Sequence, residues 1–311
     1  MRRIVITGTG TGIGKTHFAC AVARAAAAQK LRVAAFKPVE TGGDSAGGEY
    51  TDSAQLAAVS SFHVKRWLDP VYTFREPISP HLAARRAGIS LELQPILDAI
   101  RLFDDLDLHL VLLELAGGLF SPLNRKESNA DLALALHQAG VASAAAIPIT
   151  QQIAVAAEST GSVAPAVVTP PPATEIPGST SGTWSSSGVS PSDPAFPSAA
   201  WSRADSFPPE HTASSPPTQD DSIPRVVLVA PDRLGALHEI AATTRAADAM
   251  GLPIAGVVLA MPERPDSSTG LNGAEIQYVT TAPYLGTLRR ATIDTLASDL
   301  KISGFFNRLF G

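Results

Sequence analysis

Gly8-Thr9-Gly10-Thr11-Gly12-Ile13-Gly14-Lys15-Thr16 follows directly on the apolar run Arg3-Ile4-Val5-Ile6 and leads into an alanine-rich segment from His17 to Gln29. The order reads as strand, glycine loop, helix. Glycines at positions 8, 10, 12 and 14 let backbone N–H groups turn inward around an anion, and the helix that follows adds its positive N-terminal end. A polyphosphate fits such a cradle. Lys15 would reach the terminal phosphates as a point charge, and the Thr16 hydroxyl is placed to ligate Mg2+. Five residues separate Gly8 from Gly14-Lys15 where the strict pattern has four, so the loop is a variant of the standard one.

Composition narrows the function classes. The 311-residue chain is 45% hydrophobic, enough to fill a core, and its net charge of −5 argues against nucleic acid or an anionic membrane surface as the main partner. Small molecules fit better. A single cysteine, Cys20, excludes an internal disulfide and a cysteine-based zinc site. The apolar run after Met1-Arg2-Arg3 is too short for a signal peptide or membrane span, so a cytoplasmic location is expected.

Leu31 to Phe36 reads as the second strand of a βαβ unit and ends in Lys37-Pro38-Val39-Glu40-Thr41-Gly42-Gly43. Residues at the carboxyl ends of strands in a doubly wound sheet face the ligand crevice, which puts Lys37 and Thr41 near the phosphates held by Lys15. Thr51 or Asp52 caps a helix running to about Ser60, and Asp52 reads either as that cap or as a second Mg2+ ligand. Pro70 to Pro80 is a proline-punctuated loop ahead of a helix beginning near Leu82 and serves as a pocket wall. After a helical stretch from Leu91 to Leu102, Leu108 to Leu113 is a continuous apolar strand ending in Glu114-Leu115-Ala116-Gly117-Gly118. A carboxylate at the tip of a buried strand needs a cation or donors to offset its desolvation. Mg2+ and loop amides are the two candidates for Glu114.

From Val141 to about residue 223 the chain turns alanine-rich, then dense in Ser, Pro, Thr and Gly. Too few large apolar side chains are present to offset chain entropy, and disorder is expected from about Ser159. The insert joins the helix at Asp131–His137 to a strand at Val226–Ala230. A helix-to-strand connection lies on the amino-end side of a parallel sheet, away from the crevice. The expected organisation is one doubly wound, mostly parallel α/β domain of the P-loop NTPase type, built from residues 1–140 and 224–300. The long disordered insertion at 141–223 interrupts it, and an apolar tail at 301–311 docks on the domain or on a twin subunit.

Four motifs taken in order resemble the dethiobiotin synthetases. They are the loop Gly8 to Thr16, Lys37-Pro38-Val39, the stretch Tyr72-Thr73-Phe74-Arg75-Glu76-Pro77-Ile78-Ser79-Pro80-His81, and Glu114-Leu115-Ala116-Gly117-Gly118. Weaker similarity returns from about Val226 to Gly286. The resemblance implies a reaction in which 7,8-diaminononanoate, CO2 and ATP give dethiobiotin, ADP and phosphate. It implies Lys37, Lys15 and Thr11 as catalytic groups, with Thr41, Thr11 and Lys37 at the diamine. Gly12, Ile13, Gly14, Lys15, Thr16, His17, Asp52, Glu114, Leu115, Ala116 and Gly117 would surround the nucleotide, and Thr16, Asp52 and Glu114 would hold Mg2+. It also implies a homodimer with the diamine site at the subunit boundary.

The chain departs from that family pattern in two places. Gly10 and Gly12 stand where the family has Asp and Glu. Ala260-Met261 ends a strand that normally closes in Asn-Asp, the amide of which reads adenine, and Arg289-Arg290 replaces a Pro-Trp near the same pocket. Relaxed base selectivity is therefore expected. Two rival readings are a P-loop switch or partitioning ATPase, whose signature lysine position is taken by Gly10, and a catalytically retired nucleotide-binding homologue.

Overall fold

The computed structural model describes residues 1–43, 51–62, 68–145, 222–302 and 304–310. The predicted disordered stretch from Ser159 falls outside the described residues, and so does most of the predicted insertion.

A six-stranded sheet carries the domain. Its strands are β1 (Arg2–Gly8), β2 (Val33–Phe36), β5 (Leu110–Glu114), β6 (Arg225–Pro231), β7 (Ile254–Ala260) and β8 (Tyr284–Leu288), in the spatial order β2-β5-β1-β6-β7-β8. All neighbouring pairs run parallel. The chain leaves β1 toward β2 on one side and later returns to place β6 on the other, so β1 sits at the reversal of strand order. Ligands of open α/β sheets bind at the carboxyl end of such a switch point.

Continuous apolar runs are what a two-sided sheet requires. Ile4 and Ile6 of β1, Leu110 and Leu112 of β5, and Val227 and Val229 of β6 belong to one buried cluster, while Val5, Val111, Leu113, Val226 and Leu228 belong to another. The two-residue period of a strand sends these sets to opposite faces. The first face is covered by α1 (Lys15–Ala27), through Phe18, Cys20 and Val22, and by α2 (Asp52–Val59), through Leu56. The second is covered by α3 (Pro80–Ala87), α4 (Leu93–Arg101), α5 (Asn129–Ala145) and α6 (Ala236–Ala249). The expected doubly wound sheet is thus the observed one.

Several boundaries differ from expectation. Tyr72–Phe74, read as loop, is a short strand β4 pairing in parallel with β3 (Val39–Thr41) in a separate two-stranded sheet. Tyr72 and Phe74 are buried there and Thr73 is exposed, an alternation too short to stand out between prolines. Helix α5 starts at Asn129 and continues through Ala145, since its alanine-rich end favours helix. Between β7 and β8, Asn272–Glu275 forms a single helical turn, α7, followed by a 3-10 turn at Ile276–Tyr278.

The chain closes with α8 (Ile293–Ile302) and α9 (Phe305–Phe310). Phe305 is fully buried and meets Phe18 edge-on at 5.6 Å, and Arg308 Nη2 donates to Leu285 O at 2.6 Å. Burying one phenylalanine contributes about 2–3 kcal/mol, which holds in place a helix far too short to persist alone. The tail therefore docks on its own domain. Among the described residues no helix is long and apolar enough to cross a membrane.

Candidate active site

Lys37 and Glu114 lie at the carboxyl ends of β2 and β5 and the glycine loop follows β1, because parallel strands deliver their tips to one edge; Thr41 ends β3 and Asp52 opens α2. β1 runs into the glycine loop, where Thr9 N donates to Val229 O at 3.0 Å. Gly14 caps α1 with a left-handed φ of 93° and offers no side-chain cap, so the first helical N–H groups stay open to an anion. The Lys15 side chain is buried and its Nζ donates to Gly10 O at 2.8 Å. Burial holds the Lys15 amine down at about 8; the nearby Lys37 charge pushes the same way, against Glu114 and Asp52.

β5 lies between β1 and β2, so its last residue, Glu114, stands between the loop and Lys37. Glu114 Oε1 accepts from Thr16 Oγ1 at 2.9 Å and lies 3.2 Å from Lys37 Nζ. Its Oε2 is buried and has no hydrogen-bond partner among the described residues. Burial raises the Glu114 carboxyl above the usual carboxylate range, with Lys37 opposing the shift. Thr51 caps α2, its Oγ1 accepting from Ala54 N at 3.2 Å, which frees the Asp52 carboxylate to bond Lys37 Nζ. The Lys37 amine is raised: burial alone would lower it, but Glu114, Glu40 and Asp52 together outweigh that cost.

Glu40 is a member of this cluster that the sequence reading passed over. It is 3% exposed, its Oε1 stands 3.5 Å from Lys37 Nζ, and its Oε2 accepts from Ser53 N at 2.8 Å. The available signal was its place three residues after Lys37, in β3. Asn129 was also missed. Its Nδ2 donates to Ala116 O at 2.7 Å and to Gly118 O at 2.9 Å, fixing the turn after Glu114. That turn needs both glycines: Gly117 has a φ of 83°, and a Cβ on Gly118 would lie 3.2 Å from Gly8 O.

The glycine loop forms the ridge between two chambers. One, of about 590 Å3, is lined by Thr11, Lys15, Thr16, Lys37, Thr41, Asp52 and Glu114, with Pro77 to Pro80 closing it. Ala116 and Gly117 also face it, whereas Leu115 is 1% exposed and lies in the core away from both chambers. The other, of about 610 Å3, is bounded by Pro231, Arg233, Ala260, Met261, Glu263, Arg289 and Arg290. Thr11, Gly12, Ile13, Gly14 and His17 belong to both walls, and His17 Nε2 is 2.9 Å from Ala291 O. Among the described residues no asparagine or glutamine amide lines the second chamber. Among the described residues no group of three or more His, Cys, Asp or Glu side chains forms a ready metal cage.

A glycine loop at the switch point of a parallel sheet, with a lysine and a threonine opening the next helix, defines the class as a P-loop nucleotide-binding α/β protein. In agreement, residues 2–139 match the family model described as an AAA domain. More particularly, the N-terminal part of the chain is similar to ATP-dependent dethiobiotin synthetases. It is 38% identical over 138 residues to that of Caulobacter vibrioides (strain NA1000 / CB15N), covering 44% of this chain and 63% of the relative. It is 41% identical over 132 residues to that of Nitrosospira multiformis, covering 42% of this chain and 57% of the relative. The chain thus matches about 60% of the length of these curated relatives. Among solved structures, a ParA family ATPase from Chlorobium tepidum TLS aligns over 97% of this chain and 93% of its own, at 10% identity and a TM-score of 0.42.

Proposed function

We propose that the chain is an ATP-dependent dethiobiotin synthase, closing a cyclic urea from 7,8-diaminononanoate and CO2 with release of ADP and phosphate. The observation that carries this reading is the Lys37 ammonium. It is 6% exposed and is held by three carboxylates beside the triphosphate cradle, in a chamber roomy enough for a linear diamine.

One amine of the substrate adds to CO2 and loses a proton, giving a carbamate. Lys37 would hold the carbamate oxygens, with the Thr11 and Thr41 hydroxyls beside it. A carbamate oxygen attacks the γ-phosphorus and ADP leaves. The second amine then attacks the carbamoyl carbon, phosphate departs, and that amine loses a proton. The chain supplies positioning and charge, which is most of what phosphoryl transfer asks of a protein. Lys15 follows the charge building on the triphosphate.

The residues present fit a Mg2+ ion. Thr16 Oγ1, the unpartnered Glu114 Oε2 and Asp52 give two carboxylates and a hydroxyl, the sparse protein share typical of Mg2+ bound together with phosphates and water. When bound, the ion would neutralise phosphate charge. A homodimer and relaxed base selectivity belong to the same reading, the latter because Ala260 and Met261 bring no amide to the base chamber. The test is phosphate release with and without diamine and bicarbonate. A synthase needs both, a switch ATPase releases phosphate without them, and a retired homologue releases none.

A further inference from the structure

Both oxygens of one carboxylate on α6 are taken, one by the start of the glycine loop and the other by a residue lining the second chamber. Glu239 Oε2 accepts from Thr9 Oγ1 at 2.9 Å, and Thr9 is the first residue of the glycine loop after β1. Glu239 Oε1 accepts from Arg233 Nη2 at 2.7 Å, and Arg233 lines the chamber on the far side of the loop. Arg233 is itself anchored, its Nη1 donating to Leu234 O at 3.0 Å. Glu239 sits in the first turn of α6, where the helix dipole favours a negative charge, and its backbone N–H bonds Gly235 O at 3.1 Å. The carboxylate is therefore fixed from below, gripped on both oxygens, and half-buried.

We propose that Glu239 is a positioning residue for the glycine loop: it fixes Thr9 so that the loop amides stay aimed at a triphosphate, and Arg233 holds Glu239 in place. The inference rests on the nucleotide reading of the loop and goes beyond it by naming a residue remote from the phosphates. Its sign is what makes it testable. A carboxylate near an anion site, if a mere bystander, repels the triphosphate, and deleting it tightens binding. A carboxylate that holds the loop in its binding shape does the opposite.

The experiment is calorimetric titration of Mg-ATP and of inorganic tripolyphosphate into the full chain. Wild type, Thr9→Val, Glu239→Ala and the double variant are compared, and thermal melting reports the fold of each. Each single change should weaken both ligands by roughly 5-fold, the worth of one charge-assisted hydrogen bond at a half-buried site. The double variant should bind no worse than the weaker single, because both changes remove the same interaction. Glu239→Met, which keeps the side-chain length and carries no oxygen acceptor, replaces Glu239→Ala if the latter does not fold. Tighter or unchanged tripolyphosphate binding by the Glu239 variants, or fully additive losses, overturns the proposal. Wild type that binds neither ligand overturns the nucleotide reading, and the proposal falls with it.

Discussion

Lys37→Met isolates the charge cluster on which the chemistry depends. In the native protein the Lys37 ammonium stands 3.2 Å from Glu114 and 3.5 Å from Glu40, carboxylates that are 1% and 3% exposed, and it also bonds Asp52. At an effective dielectric constant of about 20, each of these two contacts is worth about 5 kcal/mol of gross attraction. Desolvation of the lysine offsets much of that. Methionine restores the volume and none of the charge, leaving buried carboxylates facing one another. Breaking a buried ion pair on one side costs about 3–5 kcal/mol, and urea unfolding at pH 7 should show a loss of that size. The pH dependence follows from Glu114. Without Lys37 its carboxyl rises further above its unfolded value, so the folded state binds more protons than the unfolded one as pH falls through that raised value. The deficit should therefore shrink toward pH 5. Diamine-dependent turnover should fall by at least 100-fold at every pH, by analogy with a lost oxyanion donor. A Lys37→Met protein as stable as wild type at pH 7, or equally destabilised at both pH values, would refute the charge-cluster reasoning.

Three further outcomes are expected. Gly118→Ala places a methyl 3.2 Å from Gly8 O and 3.3 Å from Thr9 O, which should cost about 1–3 kcal/mol in thermal unfolding and raise KM for nucleotide. Triphosphate affinity, followed by titration from pH 7 to pH 9.5, should decline as pH rises through about 8, where the free protein's Lys15 loses its proton; a flat profile contradicts the burial of that amine. Ratios of kcat/KM for ATP against GTP and CTP should stay within about 10-fold, and Ala260→Asn should widen them, since a buried amide discriminates base edges where Ala260 cannot. An ATP preference of the size seen in an asparagine-bearing enzyme contradicts that expectation.

How far the sequence could be read depended on whether a feature was local. The glycine loop after β1, the apolar runs of β1, β2 and β5, and Lys37 and Glu114 at the tips of β2 and β5 are carried by short contiguous patterns, and the structure brings Lys15, Thr16, Lys37, Asp52 and Glu114 together. The parallel doubly wound sheet follows from the same runs, because strands buried on both faces admit few other arrangements. Glu40, Asn129 and Glu239 were not visible in this way. Their partners are Lys37 and Ser53, the carbonyls of Ala116 and Gly118, and Thr9 and Arg233. Most of these meetings depend on strand order and helix placement, which no local period encodes. The β3–β4 pair was hidden for a different reason: three residues between prolines are too few to show a period of two. Ala260, Met261, Arg289 and Arg290 were legible in the sequence as parts of one pocket, whereas Arg233 joins them only in three dimensions.

The most direct measurement of the central claim uses 13C-bicarbonate, 7,8-diaminononanoate and ATP with the purified chain, following urea carbon by NMR and phosphate in the same sample. The expected result is one labelled cyclic urea per phosphate released, abolished by Lys37→Met. Phosphate released with no labelled urea, or at the same rate without diamine, would contradict the account.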